Sequence, residues 1–320
     1  MTLLETVDLT KHFKIGGNLS RRTLHAVDDV NLSIDRQEIV ALVGESGSGK
    51  STIARLLARV YQPTSGEIRY QDRPLSSMRT RRQTLAYRGD VPMVFQDPFS
   101  SLNPAYRVAH GIVRGLKLHR KDLNRAQRRE EAVRVVSAVG LAPGVLDRYP
   151  HELSAGQLVG FAQALAFQPK LIIADEPVSM LDVSIRIGLL NLMTALREQE
   201  GVSILYITHD IASARYVSDR LLVMYAGKIV ESGPVEDVLR RPKHPYTQLL
   251  LSAVPDPRAP LSTEPADQGE PPRVIDPAPG CRFRWRCPLA VDECSQVTPE
   301  LRLLAPAHSA ACHVATPEEP

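Results

Sequence analysis

Residues 44–52, with the sequence GESGSGKST, have the residue types and the spacing that bind phosphate groups. They match the pattern G-x-x-x-x-G-K-[ST], in which glycines let backbone N–H groups turn around an anion without an interfering Cβ. The lysine of this pattern reaches the outer phosphates of a nucleotide, and the hydroxyl after it suits Mg²⁺. The predicted nucleotide contacts are Gly44, Ser46, Gly47, Ser48, Gly49, Lys50, Ser51 and Thr52.

Four further side chains could complete a hydrolytic site. Asp175 and Glu176 close the apolar run KLIIADE, whereas His209 closes SILYITH and Gln96 lies in VFQDP. An acidic residue at a strand end can hold Mg²⁺, here Asp175 with Ser51 and Gln96, and a second one can activate water. We therefore predict catalytic roles for Glu176, His209 and Gln96. Taken singly, Gln96 could instead only hydrogen-bond within its loop, and His209 could simply end a strand.

The phosphate-binding pattern has the elements that it needs on both sides. Residues 38–44, EIVALVG, form a near-continuous apolar run, which favours a strand buried on both faces. Residues 51–61, STIARLLARVY, carry apolar side chains at helical spacing. Strand, loop and helix thus follow in the order that places a phosphate at a helix N-terminus, where the helix dipole adds positive charge.

The rest of the chain divides by composition. Residues 1–40 alternate apolar and polar side chains, which predicts a half-buried antiparallel sheet. Residues from about 100 to 165 predict a helical subdomain inserted into an α/β core, after which KLIIADEP and SILYITHD return as buried strands. Residues 251–280 are a proline-rich linker, and residues 281–320 hold all four cysteines.

The overall composition excludes some classes of protein. The 320 residues carry a net charge of +3, which does not by itself indicate a nucleic-acid partner, and we expect the basic clusters at 79–82 and 120–129 to be solvated. No segment has the pattern of a secretory signal, and no apolar run approaches the roughly 18–20 residues that span a bilayer. We therefore expect a cytosolic chain that needs other subunits for any membrane-spanning role.

Taken in order, the motifs resemble those of the ATP-binding-cassette (ABC) ATPases over residues 1–250. The resemblance implies a P-loop NTPase fold, in which a RecA-like α/β core carries an antiparallel β subdomain, an inserted α-helical subdomain and a small cysteine-containing C-terminal extension. It implies ATP and Mg²⁺ as ligands, with Gln96 as the Q-loop glutamine, Glu176 as the catalytic glutamate and His209 as the switch histidine. The aromatic residue that stacks on adenine, the signature loop and the D-loop correspond to Phe13, Ser154, Gly156, Gln157 and Asp182.

Within that family, VFQDPFSSLNP, ADEPVSMLDVS and HPYTQLLLSAVP look like the ATPase subunits of oligopeptide and dipeptide importers. The likeness implies two ATPase subunits that sandwich ATP between one chain's phosphate loop and the other's signature loop, the second subunit being a paralogue or another copy. It further implies two membrane permease subunits, an extracytoplasmic solute-binding protein and a peripheral location on the cytoplasmic face of the membrane, without nucleic acid. The cargo stays open among peptides, nickel, glutathione and oligosaccharides.

The signature segment is shorter than the family pattern. Residues 158–161 alone separate LSAGQ from AQAL, which is two residues fewer than the pattern has, and Gln163 replaces a common arginine. Removing two residues rotates the rest of a helix by about 200° and shortens it by about 3 Å. We expect the helix to begin later, and we hypothesise an asymmetric heterodimer whose site at this signature is weakened. Local remodelling with full activity is the alternative.

The four cysteines form one cluster near the end of the chain, at Cys281, Cys287, Cys294 and Cys312. Structural disulfides are rare in the cytosol, so a metal site or free thiols are the alternatives. Zinc sites usually have closer pairs, whereas iron–sulfur clusters accept wider spacing. The likeness to peptide-importer ATPases implies a [4Fe–4S] cluster for some members, and we expect nearby arginines to offset its negative charge.

Two rival functions use the same motifs. A soluble cassette ATPase that acts on nucleic acid or ribosomes is one, but the relatives of that kind carry two cassettes in a longer chain. A regulatory cassette that does not hydrolyse ATP within the same transporter is the other, since the signature is shortened. Copurification with membrane subunits separates the first rival from the importer subunit, and turnover separates the second.

Overall fold

The computed structural model describes residues 1–16, 22–97, 102–153, 156–179, 181–253 and 274–317. The strands of this part of the chain are β1 (Thr2–Ile15), β2 (Arg22–Asp35), β3 (Ile39–Val43), β4 (Ser65–Tyr70), β5 (Arg73–Pro74), β6 (Met93–Val94), β7 (Leu171–Asp175), β8 (Ser203–Thr208), β9 (Arg220–Tyr225), β10 (Lys228–Pro234), β11 (Arg302–Ala305) and β12 (His308–Ala310). The helices are α1 (Lys50–Leu57), α2 (Arg81–Asp90), α3 (Val108–His119), α4 (Arg125–Ala138), α5 (Gly156–Leu165), α6 (Val183–Glu200), α7 (Ile211–Val217), α8 (Val235–Arg240), α9 (Pro245–Ser252) and α10 (Glu293–Gln296).

The larger sheet carries the predicted core. Its order is β11-β12-β10-β9-β3-β8-β7-β6, and its strands from β9 to β6 run parallel. The carboxyl ends of parallel strands lie at one edge of a sheet, which is where α/β proteins bind ligands. The loops after β3, β6, β7 and β8 therefore meet at that edge, and the predicted α/β fold class is confirmed.

Strand β3 shows why the central sheet needs apolar residues throughout. All five of its residues are buried. Ile39, Ala41 and Val43 face one hydrophobic core, which includes the helices α3 to α5, whereas Val40 and Leu42 face a second core that includes α1. Successive side chains of a strand point to opposite faces, so a strand covered on both faces reads as one continuous apolar run.

The smaller sheet is antiparallel, with the order β2-β1-β4-β5. It packs over the second core through residues such as Leu4, Leu9 and Ile34, each of which is fully buried. The alternating pattern of residues 1–40 thus gives the predicted half-buried sheet. Its strand β1 carries Phe13 close to its C-terminal end.

The C-terminal extension joins the main sheet. Strand β12 pairs antiparallel with β10, and β11 pairs with β12. The carboxylate of Glu231 on β10 is fully buried and is bound by His308 of β12, with 2.7 Å between Nε2 and Oε1. The backbone N–H groups of Lys243 and His244 also donate to this carboxylate, at 2.7 and 2.9 Å. The extension therefore covers a strand edge and a buried charge of the cassette.

None of the helices in the described ranges is both long enough and apolar enough to cross a bilayer.

His244 makes the stability of this region depend on pH. Burial lowers its pKa from 6.5 to about 4, although the nearby Glu231 opposes the shift, and its Nδ1 accepts a hydrogen bond from the backbone N–H of Tyr246. The unfolded chain takes up this proton at a higher pH than the folded chain does. We therefore expect stability to fall between about pH 6.5 and 4, by up to about 3 kcal/mol from this group.

A matched variant isolates the contribution of this histidine. His244→Asn keeps an acceptor for the N–H of Tyr246 but removes the titrating group. Thermal unfolding between pH 7 and 4.5 should show a weaker pH dependence in this variant than in the wild type. Equal slopes in the two proteins would contradict the assignment.

Candidate functional site

The phosphate loop between β3 and α1 is closely packed against two other backbone segments. Gly44 and Gly49 have φ values of 155° and 111°, which side chains rarely adopt. A Cβ at Gly44 would lie 2.1 Å from the carbonyl oxygen of Met224, and one at Gly49 would lie 2.2 Å from that of Ala26. Only glycine fits at either position, and this explains the two outer glycines of the pattern.

Lys50 lies inside the loop and is 5% exposed. Its Nζ donates to the carbonyl oxygens of Gly44 and Glu45, at 2.6 and 2.9 Å. Burial lowers the pKa of this ammonium group, and the nearby carboxylates of Glu176, Asp175 and Glu45 act in the opposite direction. A buried cation beside an anion-sized loop is suited to bind phosphate oxygens.

Ser51 and Asp175 come together as predicted. The hydroxyl of Ser51 donates to Oδ1 of Asp175 over 3.1 Å, across the gap between α1 and the end of β7. Burial raises the pKa of Asp175, which is 4% exposed, and the nearby Glu176 raises it further. A hydroxyl and a buried carboxylate are the oxygen ligands that Mg²⁺ prefers, so the two residues fit the predicted metal site.

Glu176 is the centre of the predicted catalytic group. Gln96 donates from Nε2 to its Oε2 over 2.9 Å, and Nδ1 of His209 lies 3.2 Å from its Oε1. The φ of Glu176 is 48°, and its backbone N–H donates to the carbonyl oxygen of Ile207 on the neighbouring strand. This left-handed turn directs the side chain out of the sheet, whereas Asp175 before it belongs to β7.

Two features of the loop fit a bound phosphate. The hydroxyl of Ser48 is buried and has no hydrogen-bond partner among the described residues. A Cβ at Gly47 would meet no atom within 4 Å, so the side of the loop at this glycine is open. The remaining predicted loop residues, Ser46 and Thr52, lie at the exposed tip and in the first turn of α1.

Phe13 offers a partly exposed aromatic ring at the end of β1. Tyr61 packs against it edge-to-face, with 5.5 Å between the ring centroids. The ammonium group of Lys11 lies 5.1 Å from the centre of the ring. A partly exposed aromatic ring of this kind is suited to stack on a base, and the predicted contact with adenine stays a prediction.

The signature and D-loop residues lie apart from this group. Ser154 is outside the described residues, and Gly156 and Gln157 begin α5. The helix therefore starts inside the pentapeptide LSAGQ, and the expectation that it begins later is wrong. Asp182 is exposed and precedes α6. Between described residues, no hydrogen bond links Gly156, Gln157 or Asp182 to the phosphate loop of the same chain.

The four cysteines approach one another as free thiols. Burial raises the pKa of Cys281, and the other three thiols raise it further. The backbone N–H of Cys281 donates to the carbonyl oxygen of Cys294 over 2.8 Å. Within the part of the chain that the structure describes, no three cysteine sulfurs lie within 4.8 Å of one another.

Sequence reasoning missed a link between the extension and the phosphate loop. We expected the arginines beside the cysteines to offset the charge of a cluster. Both terminal nitrogens of the Arg286 guanidinium instead donate to the carboxylate of Glu45 in the loop, at 2.8 Å each. Arg282 donates to the carboxylate of Asp28. An acidic residue, Glu45, at the second position of the phosphate pattern indicates that a basic partner is needed. That partner lies 241 residues away in the sequence.

The chain resembles known proteins over almost all of its length. Residues 27–179 match the family model described as ABC transporter, and residues 230–294 match the oligopeptide/dipeptide transporter C-terminal region. The oligopeptide transport ATP-binding protein AppF of Bacillus subtilis is 41% identical, over 98% of this chain and 97% of that protein. A Brucella ovis protein, named as a candidate peptide import ATP-binding protein, is 40% identical over 97% of each chain.

Solved structures agree with this likeness. The dimeric ATP-binding cassette MJ0796, bound to ADP and phosphate after hydrolysis, has a TM-score of 0.66 and 27% identity, over 73% of this chain and 99% of that one. The structure of CbiO1 from Clostridium perfringens, part of an ABC transporter complex, has a TM-score of 0.64 and 25% identity, over 75% and 91% of the two chains. The chain therefore belongs to the ATP-binding proteins of ABC transporters, in their oligopeptide/dipeptide branch.

Proposed function

We propose that this chain hydrolyses ATP at the edge of its main sheet and thereby drives the import of peptides through a membrane complex. The observation that carries the chemistry is the hydrogen-bonded group of Gln96, Glu176 and His209, which lies beside the buried Lys50. The import of peptides is supported by the names of the relatives that match over the full length. The intact catalytic group favours hydrolysis over a purely regulatory role.

The phosphate loop and Lys50 bind the phosphates of ATP. The ammonium group exchanges its two carbonyl partners for phosphate oxygens, and the N-terminus of α1 adds positive charge. Phe13 stacks on the adenine. Ser51, Asp175 and Gln96 would hold Mg²⁺, which supplies charge neutralisation at the phosphates when it is bound.

Glu176 orients the attacking water and accepts its proton. The water oxygen forms a bond to the terminal phosphorus as the bond from that phosphorus to the bridging oxygen breaks, which gives ADP and phosphate. Gln96 holds the carboxylate in place, and His209, whose side chain is 59% exposed, is free to contact the terminal phosphate. Positioning and charge stabilisation supply most of the catalysis in such reactions.

A second ATPase subunit completes the site. Among the described residues, Gly156 and Gln157 share no hydrogen bond with the phosphate loop of the same chain, and each ATP would lie between the loop of one subunit and Ser154, Gly156 and Gln157 of the other. The dimeric state of MJ0796 supports this arrangement. Asp182 is exposed beside α6 and would face the partner. The N–H groups in the first turn of a helix have no partner within the helix, so the N-terminus of α5 would be suited to bind the partner's phosphate.

Two permease subunits would carry the movement into the membrane. A cleft of about 220 Å³ lies between the strand before Gln96 and helix α5, and it is lined by Phe95, Gly160, Gln163 and Phe167 among others. A permease segment in this cleft would contact both the Q-loop and the signature helix. The chain would then lie on the cytoplasmic face of the membrane, opposite an extracytoplasmic solute-binding protein.

The cysteines would hold a [4Fe–4S] cluster. In a tetrahedral zinc site with Zn–S bonds of about 2.3 Å, the sulfurs lie about 3.8 Å apart. No three of the described cysteine sulfurs lie within 4.8 Å of one another, although the other three thiols are close enough to add to the effect of burial in raising the pKa of Cys281. Four thiolates around a larger cluster fit that arrangement better than a single zinc ion does.

Glu176→Gln should abolish turnover and retain binding. We expect ATP hydrolysis by the assembled transporter to fall by about 10²- to 10⁴-fold, since the group that accepts the proton of water is lost. The affinity for ATP should stay close to that of the wild type. Glu198→Gln, which alters an exposed carboxylate of α6, is the matched control. Wild-type turnover in the Glu176 variant would remove the residue from the mechanism.

The shortened signature loop should still work. Ser154→Ala combined with Gly156→Asp places a negative charge at the N-terminus of α5, where the partner's phosphate would bind. Hydrolysis by the assembled complex should fall at least about tenfold, or about 1.4 kcal/mol. Gly144→Asp, at an open and exposed position of the same helical region, is the control. Unchanged turnover would mean that the loop is vestigial and the dimer asymmetric.

Anaerobic purification should reveal iron and acid-labile sulfide in equal amounts. Their content should reach about four of each per chain and disappear in a Cys281→Ser, Cys287→Ser double variant. A Ser295→Ala, Ser309→Ala double variant should keep both. Zinc without sulfide, or no metal at all, would contradict the cluster.

A further inference from the structure

Residues 281–287, CRFRWRC, lie against the ATP site and not only beside the cysteines. We refer to them as the arginine segment. Arg286 binds the carboxylate of Glu45 through two hydrogen bonds of 2.8 Å. The two side chains are only 11% and 24% exposed, so water screens this pair much less than a surface pair. The hydrogen bonds to Glu45 also raise the pKa of Arg286 above its usual range.

Glu45 connects this ion pair to the parts of the loop that would bind phosphate. Its backbone N–H donates to the hydroxyl oxygen of Tyr246 over 2.9 Å. Its carbonyl oxygen accepts hydrogen bonds from Lys50 and from the backbone N–H of Ser48, at 2.9 and 3.2 Å. A displacement of Glu45 therefore moves the partners of Lys50 and Ser48 as well.

Arg286 is held in place by aromatic rings. Its guanidinium lies 5.8 Å from the ring centroids of both Tyr225 and Phe283. Phe283 packs in turn against Tyr225 and Tyr246, with centroid distances of 5.2 and 5.5 Å. Because the guanidinium has little freedom to lose, its two hydrogen bonds to Glu45 fix the position of the loop.

Arg282 makes a second connection, on the adenine side. It donates to the carboxylate of Asp28 and to the carbonyl oxygen of Ala226. Burial of Asp28 opposes its ionisation, but hydrogen bonds from His12, Arg282 and His25 hold the pKa of Asp28 well below its usual range. His12 precedes Phe13, so this group also anchors the strand that presents the aromatic ring.

A short chain of backbone hydrogen bonds joins the two connections. The N–H of Gly227 donates to the carbonyl oxygen of Ser48, and the N–H of Asp28 donates to that of Gly227, at 2.8 and 2.9 Å. The loop, the turn between β9 and β10, and strand β2 are thus linked in series. The two arginines hold this series at both ends.

We propose that the arginine segment is a positioning element of the ATP site, in which Arg286 acts through Glu45 on the phosphate loop and Arg282 acts through Asp28 on the adenine side. The proposal rests on ATP binding by residues 44–52. Neither arginine contacts the reacting atoms. Loss of the segment's contacts therefore lowers the affinity for ATP, while turnover at saturating ATP is retained.

The test compares Arg286→Met, Arg286→Lys, Glu45→Gln and the Arg286→Met, Glu45→Gln double variant in the full-length chain. The affinity for a fluorescent ATP analogue with Mg²⁺ is measured on the purified chain, and KM and kcat are measured in the assembled transporter. We expect Arg286→Met to raise Kd and KM about tenfold and to change kcat less than about twofold. Arg286→Lys keeps the positive charge but cannot form two parallel hydrogen bonds to Glu45, so its Kd and KM should lie between those of Arg286→Met and the wild type.

The double variant tests whether Arg286 acts on the phosphate loop through Glu45. If Arg286 acts through Glu45, the double variant binds ATP no more weakly than the weaker single variant. Independent, multiplying losses would overturn the proposal, and so would a wild-type Kd in Arg286→Met. Arg215→Met is the matched control, since Arg215 holds Glu236 through two hydrogen bonds of 2.9 and 3.1 Å between α7 and α8.

Two further measurements distinguish a loss of positioning from the absence of an ATP site and from a failure to fold. Lys50→Ala tests the site itself, because unchanged nucleotide binding in that variant would refute the ATP site and not merely its positioning element. Thermal unfolding is followed for every variant. If Arg286→Met fails to fold, the decision passes to Arg286→Lys, for which a wild-type Kd and KM overturn the proposal.

Discussion

The close contact between the phosphate loop and two neighbouring backbone segments is the constraint on which the site depends. Gly44 and Gly49 lie directly against carbonyl oxygens of β9 and β2, with no room for a Cβ at either position. The loop can keep its left-handed turns only while those two strands stay in place. Strand β9 belongs to the large sheet and β2 to the small one. The relative position of the two sheets therefore sets the shape of the phosphate site.

The electrostatics of the site follow from burial. The buried ammonium group of Lys50 lies near the carboxylates of Asp175, Glu176 and Glu45. The negative charge of the three carboxylates exceeds the positive charge of the ammonium group. Arg286 offsets the charge of Glu45. Asp175 then accepts a hydrogen bond from the hydroxyl of Ser51, and Glu176 contacts the amide of Gln96 and the imidazole of His209. Such a site favours a divalent cation, and it accepts the phosphates of a nucleotide better together with that cation than without it.

The sequence pattern predicted those parts of the structure that are determined by residues close together in the chain. The order of strand, loop and helix around Lys50 followed from an apolar run, glycines and helical spacing. Gln96, Glu176 and His209 meet because each lies just after a strand of one parallel sheet, and the carboxyl ends of such strands share an edge. The fold class agrees with the sequence prediction in the same way.

Long-range contacts were beyond that reasoning. A run of arginines between cysteines shows positive charge, but the tertiary fold alone selects Glu45 and Asp28 as the partners. The strands of the extension are four and three residues long, too short for a recognisable alternation. The start of α5 at Gly156 was also mispredicted. The number of residues in the shortened segment does not determine which end of the helix adjusts.

The pairing of β12 with β10 has a practical consequence for where this protein can be divided. A chain cut after α9 would keep every described side chain of the candidate ATP site, and on motif content alone it would pass for a minimal cassette. It would also uncover the hydrogen-bonding edge of β10 and leave the buried carboxylate of Glu231 without His308. An open strand edge invites pairing between molecules, and an unpaired buried charge is costly. Poor solubility of such a fragment would then reflect the missing sheet strands, whatever the loss of the arginine segment does to its affinity for ATP.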